Sequence, residues 1–238
     1  MNRLKNYILI LCSFPLLLCA TSIQDRLKTA ETGSYIVTEQ GRNTTLLHFH
    51  SKNNHILLFE EITAPSFICD KIPFDWKSWV KKGAPGSSSW ILYTLNLDQG
   101  NITTCYCVKN NQALSSKNLN IFFSVLCNLP LQLVSEEKRI ATSATPKPGQ
   151  VGTKIFWSPP QTFEGKLNKN APFELFSAKW PKDKTPLSGE TLFAYFDKSK
   201  PTFPFPFWIQ AGKALKVKIK TIDAGTEMIS PALIPSQN

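Results

Sequence analysis

The chain of 238 residues carries 27 Lys and Arg against 17 Asp and Glu, a net charge of +10, and is 42% hydrophobic with 16 Phe and 6 Trp. That describes one large domain or two small ones, with bulky side chains for a core. The basic residues are scattered among Phe, Trp and Pro without a long run, which excludes the clustered footprint of a nucleic-acid binder and leaves a weak attraction to anionic surfaces, including peripheral membrane contact.

The first segment opens on Asn2-Arg3-Leu4-Lys5, runs apolar and uncharged from Ile8 to Leu18, and ends in the small residues Ala20-Thr21-Ser22. This is the layout of a signal peptide over residues 1–22, cleaved after Ser22, and predicts a periplasmic or secreted protein. Two other fates fit the segment. No charge interrupts Asn6 to Gln24, as in an uncleaved anchor, and Cys19 is a lipidation candidate, although leucine rather than a small residue precedes it. No second segment of spanning length follows. A polar lead-in, 23–32, comes next and can be helical.

An N-terminal β half, 33–140, begins with strands at Tyr35–Gln40, Thr44–His50 and His55–Ile62, the last two joined by the polar loop Lys52-Asn53-Asn54. A helix follows Asp75, which can cap it; Trp76, Trp79 and Val80 share a face and Gly83 is placed to end it. Trp90–Leu97 and Asn101–Val108 flank Asp98-Gln99-Gly100, the clearest hairpin in the chain. Leu119–Leu126 and Leu129–Val134 read as a further strand pair, and Ser135–Ile140 as a second helix or a polar loop. Residues 141–152, with Pro146, Pro148 and Gly149, form a linker between two halves of one continuous sheet.

The C-terminal β half, 153–223, holds strands at Thr153–Trp157, Phe173–Trp180, Glu190–Tyr195, Phe205–Gln210 and Leu215–Thr221. The last alternates Leu215, Val217 and Ile219 with Lys216, Lys218 and Lys220, a strand with one solvated face. Residues 224–238, rich in Pro and Ser, are expected to be a flexible tail. The predicted fold class is mainly β: a meandering antiparallel sheet, curved or forming an open or partial barrel, with one or two short helices.

Beyond the leader the cysteines are Cys69, Cys105, Cys107 and Cys127, an even number that in an exported chain makes them disulfide candidates. Cys105 and Cys107 lie on one face of a strand about 7 Å apart, a spacing better suited to partners on neighbouring strands than to each other. One CxC with two distant cysteines is not a zinc-ribbon spacing.

Searches for chemistry give little. His48, His50 and His55 are close in sequence and three imidazoles can hold zinc, but on a wet edge hairpin they read as solvent-facing histidines, and no metal or cofactor is assigned. The loop Gly83-Ala84-Pro85-Gly86-Ser87-Ser88-Ser89 lacks the Lys-Ser/Thr pair of a phosphate loop and the GxSxG of a serine elbow, and reads as structural. Glu60 and Glu61 are adjacent on a strand and must point to opposite faces. Without a nucleophile, base and orienting group the chain reads as non-enzymatic.

Aromatic segments carry more. In Lys200-Pro201-Thr202-Phe203-Pro204-Phe205-Pro206-Phe207-Trp208 the prolines exclude a central strand through Pro206, while Phe203, Phe205 and Phe207 alternate. Two readings remain open for Phe203, Phe205, Phe207 and Trp208. They plug the open end of a curved sheet, or they line a groove for a lipid or other apolar ligand.

Trp79 with Gly83-Ala84-Pro85-Gly86 and Ser89-Trp90, then Tyr195-Phe196 with Phe205-Pro206-Phe207-Trp208-Ile209, resemble uncharacterised exported proteins of chlamydiae. The resemblance implies an envelope or secreted location and brings no activity with it. In outline alone the strand series is also similar to the half-barrel lipoprotein carriers of the periplasm. The expected function is an exported envelope protein holding an apolar ligand, or alternatively a structural or protein-interaction component of the envelope stabilised by disulfides.

Overall fold

A computed structural model describes residues 21–70, 74–139, 157–211 and 217–233. Of the expected signal peptide 1–22 all but Thr21 and Ser22, the expected linker 141–152 and the strand expected from Thr153 lie outside the described residues, apart from Trp157, which is not in a strand. The N-terminal half contains α1 (Ile23–Thr29), then strands β1 (Tyr35–Gln40), β2 (Asn43–Asn53) and β3 (Ile56–Pro65). Helix α2 (Trp76–Lys81) precedes β4 (Ser89–Asn96), β5 (Asn101–Cys107) and the short β6 (Gln112–Ala113), and α3 (Lys117–Asn128) leads to β7 (Gln132–Leu133). The second half holds a small hairpin, β8 (Gln161–Phe163) and β9 (Lys166–Asn168), then β10 (Phe173–Lys179), β11 (Thr191–Asp197), β12 (Trp208–Ala211) and β13 (Val217–Gly225).

Among the described residues eleven strands form one antiparallel sheet in the order β6-β5-β4-β3-β2-β1-β13-β12-β11-β10-β7. The fold is mainly β and the sheet is not closed into a barrel. Strands β1–β6 form one meander and β10–β13 another; β13 joins them by pairing with β1 on one side and β12 on the other, while β7 crosses to the far edge beside β10. The ladder shifts register between Val37 and Thr38 on β1, opposite the stretch from Asp223 to Thr221. Such a bulge increases local twist where the halves meet.

The first half is buried on both faces, which is why its strands carry apolar residues at consecutive positions. Phe49, Leu57, Phe59, Tyr93, Leu95 and Ile102 pack on one side with Leu27 of α1 and Cys127 of α3. Val37, Leu46, Ile62, Ala64, Trp90 and Leu92 pack on the other with Trp76, Trp79 and Val80 of α2. Helices α1 and α3 lie in the hollow of the sheet. Phe123 of α3 meets Tyr93 of β4, while Phe122 stacks on Trp180 just past β10 and Arg26 of α1 sits over the rings of Phe176 and Phe196.

Two expectations are corrected. Leu119–Leu126 is helical, not a strand: Leu119, Phe123 and Cys127 recur every four residues and put one stripe on the core. The aromatic and β-branched content suggested a strand, but the four-residue period decided the structure. Within Ser135–Ile140, read as a second helix or a polar loop, Glu136–Lys138 forms a single 3-10 turn. The expected flexible tail from 224 begins inside β13 and then crosses the outer face, where Met228 and Ala232 are buried with the α2 cluster. Helix α2 is as expected, with Asp75 accepting from the Ser78 N–H and Gly83 closing on Val80.

Among the described residues no helix is long and apolar enough to cross a membrane.

Candidate functional site

The apolar residues of α1 and α3 do not fill the hollow they face. A cavity of about 130 Å³ remains between Ile23 and Leu27 of α1, Phe123 and Leu126 of α3, Leu47, Phe59, Tyr93 and Leu95 of the first half, and Phe205 and Ile209 of the second. Its wall is apolar. A closed apolar cavity of about 150 Å³ lined by Leu, Ile and Phe is large enough for benzene, which sets the scale of what this one can hold.

Of the four predicted contact residues the structure brings Phe203, Phe205 and Phe207 into one cluster, and only Phe205 lines the cavity. Its ring meets Phe59 edge-on at 6.4 Å. Phe203 and Phe207 stack on each other at 5.3 Å and turn to Phe163 and Phe173, where they are core. Trp208 lies against Trp157 and packs on the edge of the same cluster. The Phe-Pro segment is therefore a wall and a plug at once. Its prolines keep it out of the ladder until the Phe207 N–H reaches the Tyr195 carbonyl.

A second constellation sits across the sheet. His48, 1% exposed, donates from Nδ1 to Glu60 Oε2 at 2.8 Å, and Glu60 is 0% exposed. Glu60 Oε1 accepts from the Trp90 indole N–H at 2.7 Å and from the Ser230 hydroxyl at 2.5 Å. With both oxygens occupied as acceptors, the proton of the pair sits on the imidazole Nδ1. His50 lies on the same face of β2, its ring centroid 5.6 Å from that of His48, and donates from Nε2 to the Ala232 carbonyl at 3.1 Å.

The tail thus carries two of the partners of this cluster. It is held close at Gly33, whose carbonyl accepts from the Met228 N–H at 3.0 Å and whose φ of +84° is one that a residue with a side chain adopts only under strain; a Cβ there would also fall 3.1 Å from the Glu227 backbone. His48 is accordingly no edge histidine, since β3 and β4 pack beyond β2 and the tail covers it. His55 alone is exposed as expected, paired with Asp98. Sequence reasoning missed this cluster because Ser230 and Ala232 are 170 and 182 residues from their partners. The local signal, an i, i+2 histidine pair, was present. Ser230 donates to the carboxylate rather than to the imidazole, so the three residues do not form the order of a serine–histidine–acid relay.

Glu61 points the opposite way from Glu60, toward Tyr93 and Cys105, and burial pushes its carboxyl up. The four disulfide candidates are free thiols in the structure. Cys105 and Cys127 belong to the inner cluster and Cys69 to the outer one, so the sheet separates Cys69 from both. Burial raises Cys69 and Cys127 to about 11. Between α2 and the β8–β9 hairpin runs a cleft of about 370 Å³ with a mixed lining that reaches Asp223, whose carboxyl is raised by burial despite N–H donation from Gly165 and Ala224. The Gly83–Ser89 loop is structural: Pro85 accepts from the Trp79 indole, and the Ser88 N–H donates to the Thr63 carbonyl.

No curated protein matches the chain. A solved structure, that of the hypothetical protein CT021 from Chlamydia trachomatis at 2.0 Å, is similar with a TM-score of 0.63 and 22% identity over 90% of this chain and 98% of that one. At that identity the likeness shows the fold. The model of the family described as CT021 protein matches residues 45–169, more than half of the chain, a span that runs from within β2 through β9 and includes His48, Glu60 and those residues of the hollow that β2, β3, β4 and α3 supply, but not Ile23, Leu27, Phe205 or Ile209. The chain belongs to the CT021 protein family.

Proposed function

We propose that the protein is an exported, non-enzymatic component of the cell envelope that holds a small apolar group, on the scale of an aromatic ring or the end of an acyl chain, in the hollow under α1 and α3. The single observation that carries this reading is the apolar cavity of about 130 Å³ lined by both halves of the sheet and both helices. The volume limits the cargo, because a whole lipid tail needs more room. Export rests on the charge and hydropathy of the first segment.

The test is native mass spectrometry of protein purified from its own compartment without stripping detergent, followed by titration with toluene and decanoic acid. The expected result is a reproducible added mass, or binding of either probe, abolished by Leu126→Phe, which fills the cavity. A bare protein that binds neither probe overturns the reading.

A second reading, an envelope interaction component, draws on Ile121 of α3, exposed at 53%, and on the part of Phe122, exposed at 38%, that its stacking on Trp180 leaves uncovered. Cross-linking of envelope fractions that yields only monomer would count against it.

A further inference from the structure

We propose that His48 and His50 are the protein half of a transition-metal site, with His48 Nε2 and His50 Nδ1 as ligands and the remaining positions open to water or an exchangeable ligand. Metal-binding histidines characteristically donate their other ring N–H to a carboxylate or a backbone carbonyl, which fixes the tautomer and leaves a lone pair aimed at the ion. Both partners are in place. His48 gives Nδ1–H to Glu60, and His50 gives Nε2–H to the Ala232 carbonyl.

The nitrogens left over, His48 Nε2 and His50 Nδ1, are buried and have no hydrogen-bond partner among the described residues. An orphaned polar atom inside a protein is costly, and here two of them occur on neighbouring rings. Both residues line one cavity of about 320 Å³, shared with Thr32, Glu227 and Ser230.

The ring spacing suits a shared ion. With metal–nitrogen bonds of about 2.0–2.1 Å, each ring centroid lies about 3 Å from the ion, and two rings at a tetrahedral angle stand about 5 Å apart. The observed separation is 5.6 Å. Imidazole nitrogens select zinc, copper or nickel over calcium and magnesium. Among the described residues no third protein ligand stands with the pair, so the affinity expected is micromolar rather than that of a closed structural site. The tail supplies both the Ala232 carbonyl and the Ser230 hydroxyl on Glu60, so the support for the two ligands depends on the tail being docked.

The experiment is calorimetric titration of the purified protein with Zn²⁺, paired with electron paramagnetic resonance of the Cu²⁺ form. The expected result is one equivalent bound, with hyperfine coupling to two imidazole nitrogens. His50→Gln should weaken Zn²⁺ at least tenfold and remove one nitrogen coupling, while His55→Ala should leave both unchanged. His48→Gln risks the buried Glu60 pair and the fold itself, so His50→Gln, with circular dichroism to show an intact sheet, carries the test. Absence of stoichiometric binding overturns the proposal, as does binding that His50→Gln leaves intact.

Discussion

Asn120 of α3 treats Ile102 of β5 as a neighbouring strand would: its side-chain oxygen accepts from the Ile102 N–H and its amide donates to the Ile102 carbonyl at 2.7 Å. β6 pairs only with Tyr106 and Cys107, so this part of the β5 edge has no strand beside it. One side chain from a helix satisfies both backbone groups and ties α3 to the sheet.

Asn120→Ala should therefore lower stability by about 1–3 kcal/mol, the cost of leaving a part-buried donor and acceptor unpaired. Asn120→Asp keeps the acceptor and should fall between the two. Urea unfolding followed by Trp fluorescence measures this, and an unchanged midpoint for Asn120→Ala would refute the role.

Helix α1 bears on where an expected leader could be removed. Ser22 and Asp25 form a capping box, and the Leu131 N–H donates to the Thr21 carbonyl at 2.7 Å. A cut after Ser22 would remove both, and loss of such a cap costs about 1 kcal/mol. If the leader is removed, sequencing of the exported protein should find Thr21 or an earlier residue first. A mature chain starting at Ile23 would contradict this.

Phe205 and Phe207 should separate under mutation. Phe207→Ala, at a position 0% exposed in the plug, should cost about 3–5 kcal/mol and leave probe binding in the hollow unaltered. Phe205→Ala should cost a similar amount and change probe affinity, because its ring is part of the cavity wall. Equal effects of the two variants on toluene binding would erase the distinction.

Glu61 sets a pH dependence. Burial raises its folded-state value above the ordinary 4.5, so its protonated form favours the fold. That contribution is fully present below the unfolded value and is lost as pH rises through the raised folded value. Glu61→Gln should accordingly be more stable than wild type at neutral pH and should flatten the fall in stability on the alkaline side of 4.5. Thermal unfolding between acid and neutral pH tests this, and a parallel pair of curves would count against it.

Local patterns made much of this fold legible. Asp98-Gln99-Gly100 marked the β4–β5 turn, and Asp75 with Gly83 bounded α2, because each is a decision within one turn of chain. α3 was misread because aromatic and β-branched residues favour strands unless their period is weighed. At the candidate sites the Phe-Pro segment announced itself by composition, but which ring faces the hollow depends on α1 and α3, far away in sequence. The environment of His48 was illegible for a related reason, since it is created by a tail that looked unstructured.

The last regular strand made, β13, occupies the centre of the sheet. A ribosome delivering this chain from its N-terminus exposes the β1 edge, with all its ladder groups unpaired, until Val217–Gly225 has emerged. Long-range pairing of this sort slows folding and leaves intermediates open to strand exchange with other copies. A truncation that stops short of Val217 should therefore associate with itself rather than fold as a smaller version of the protein.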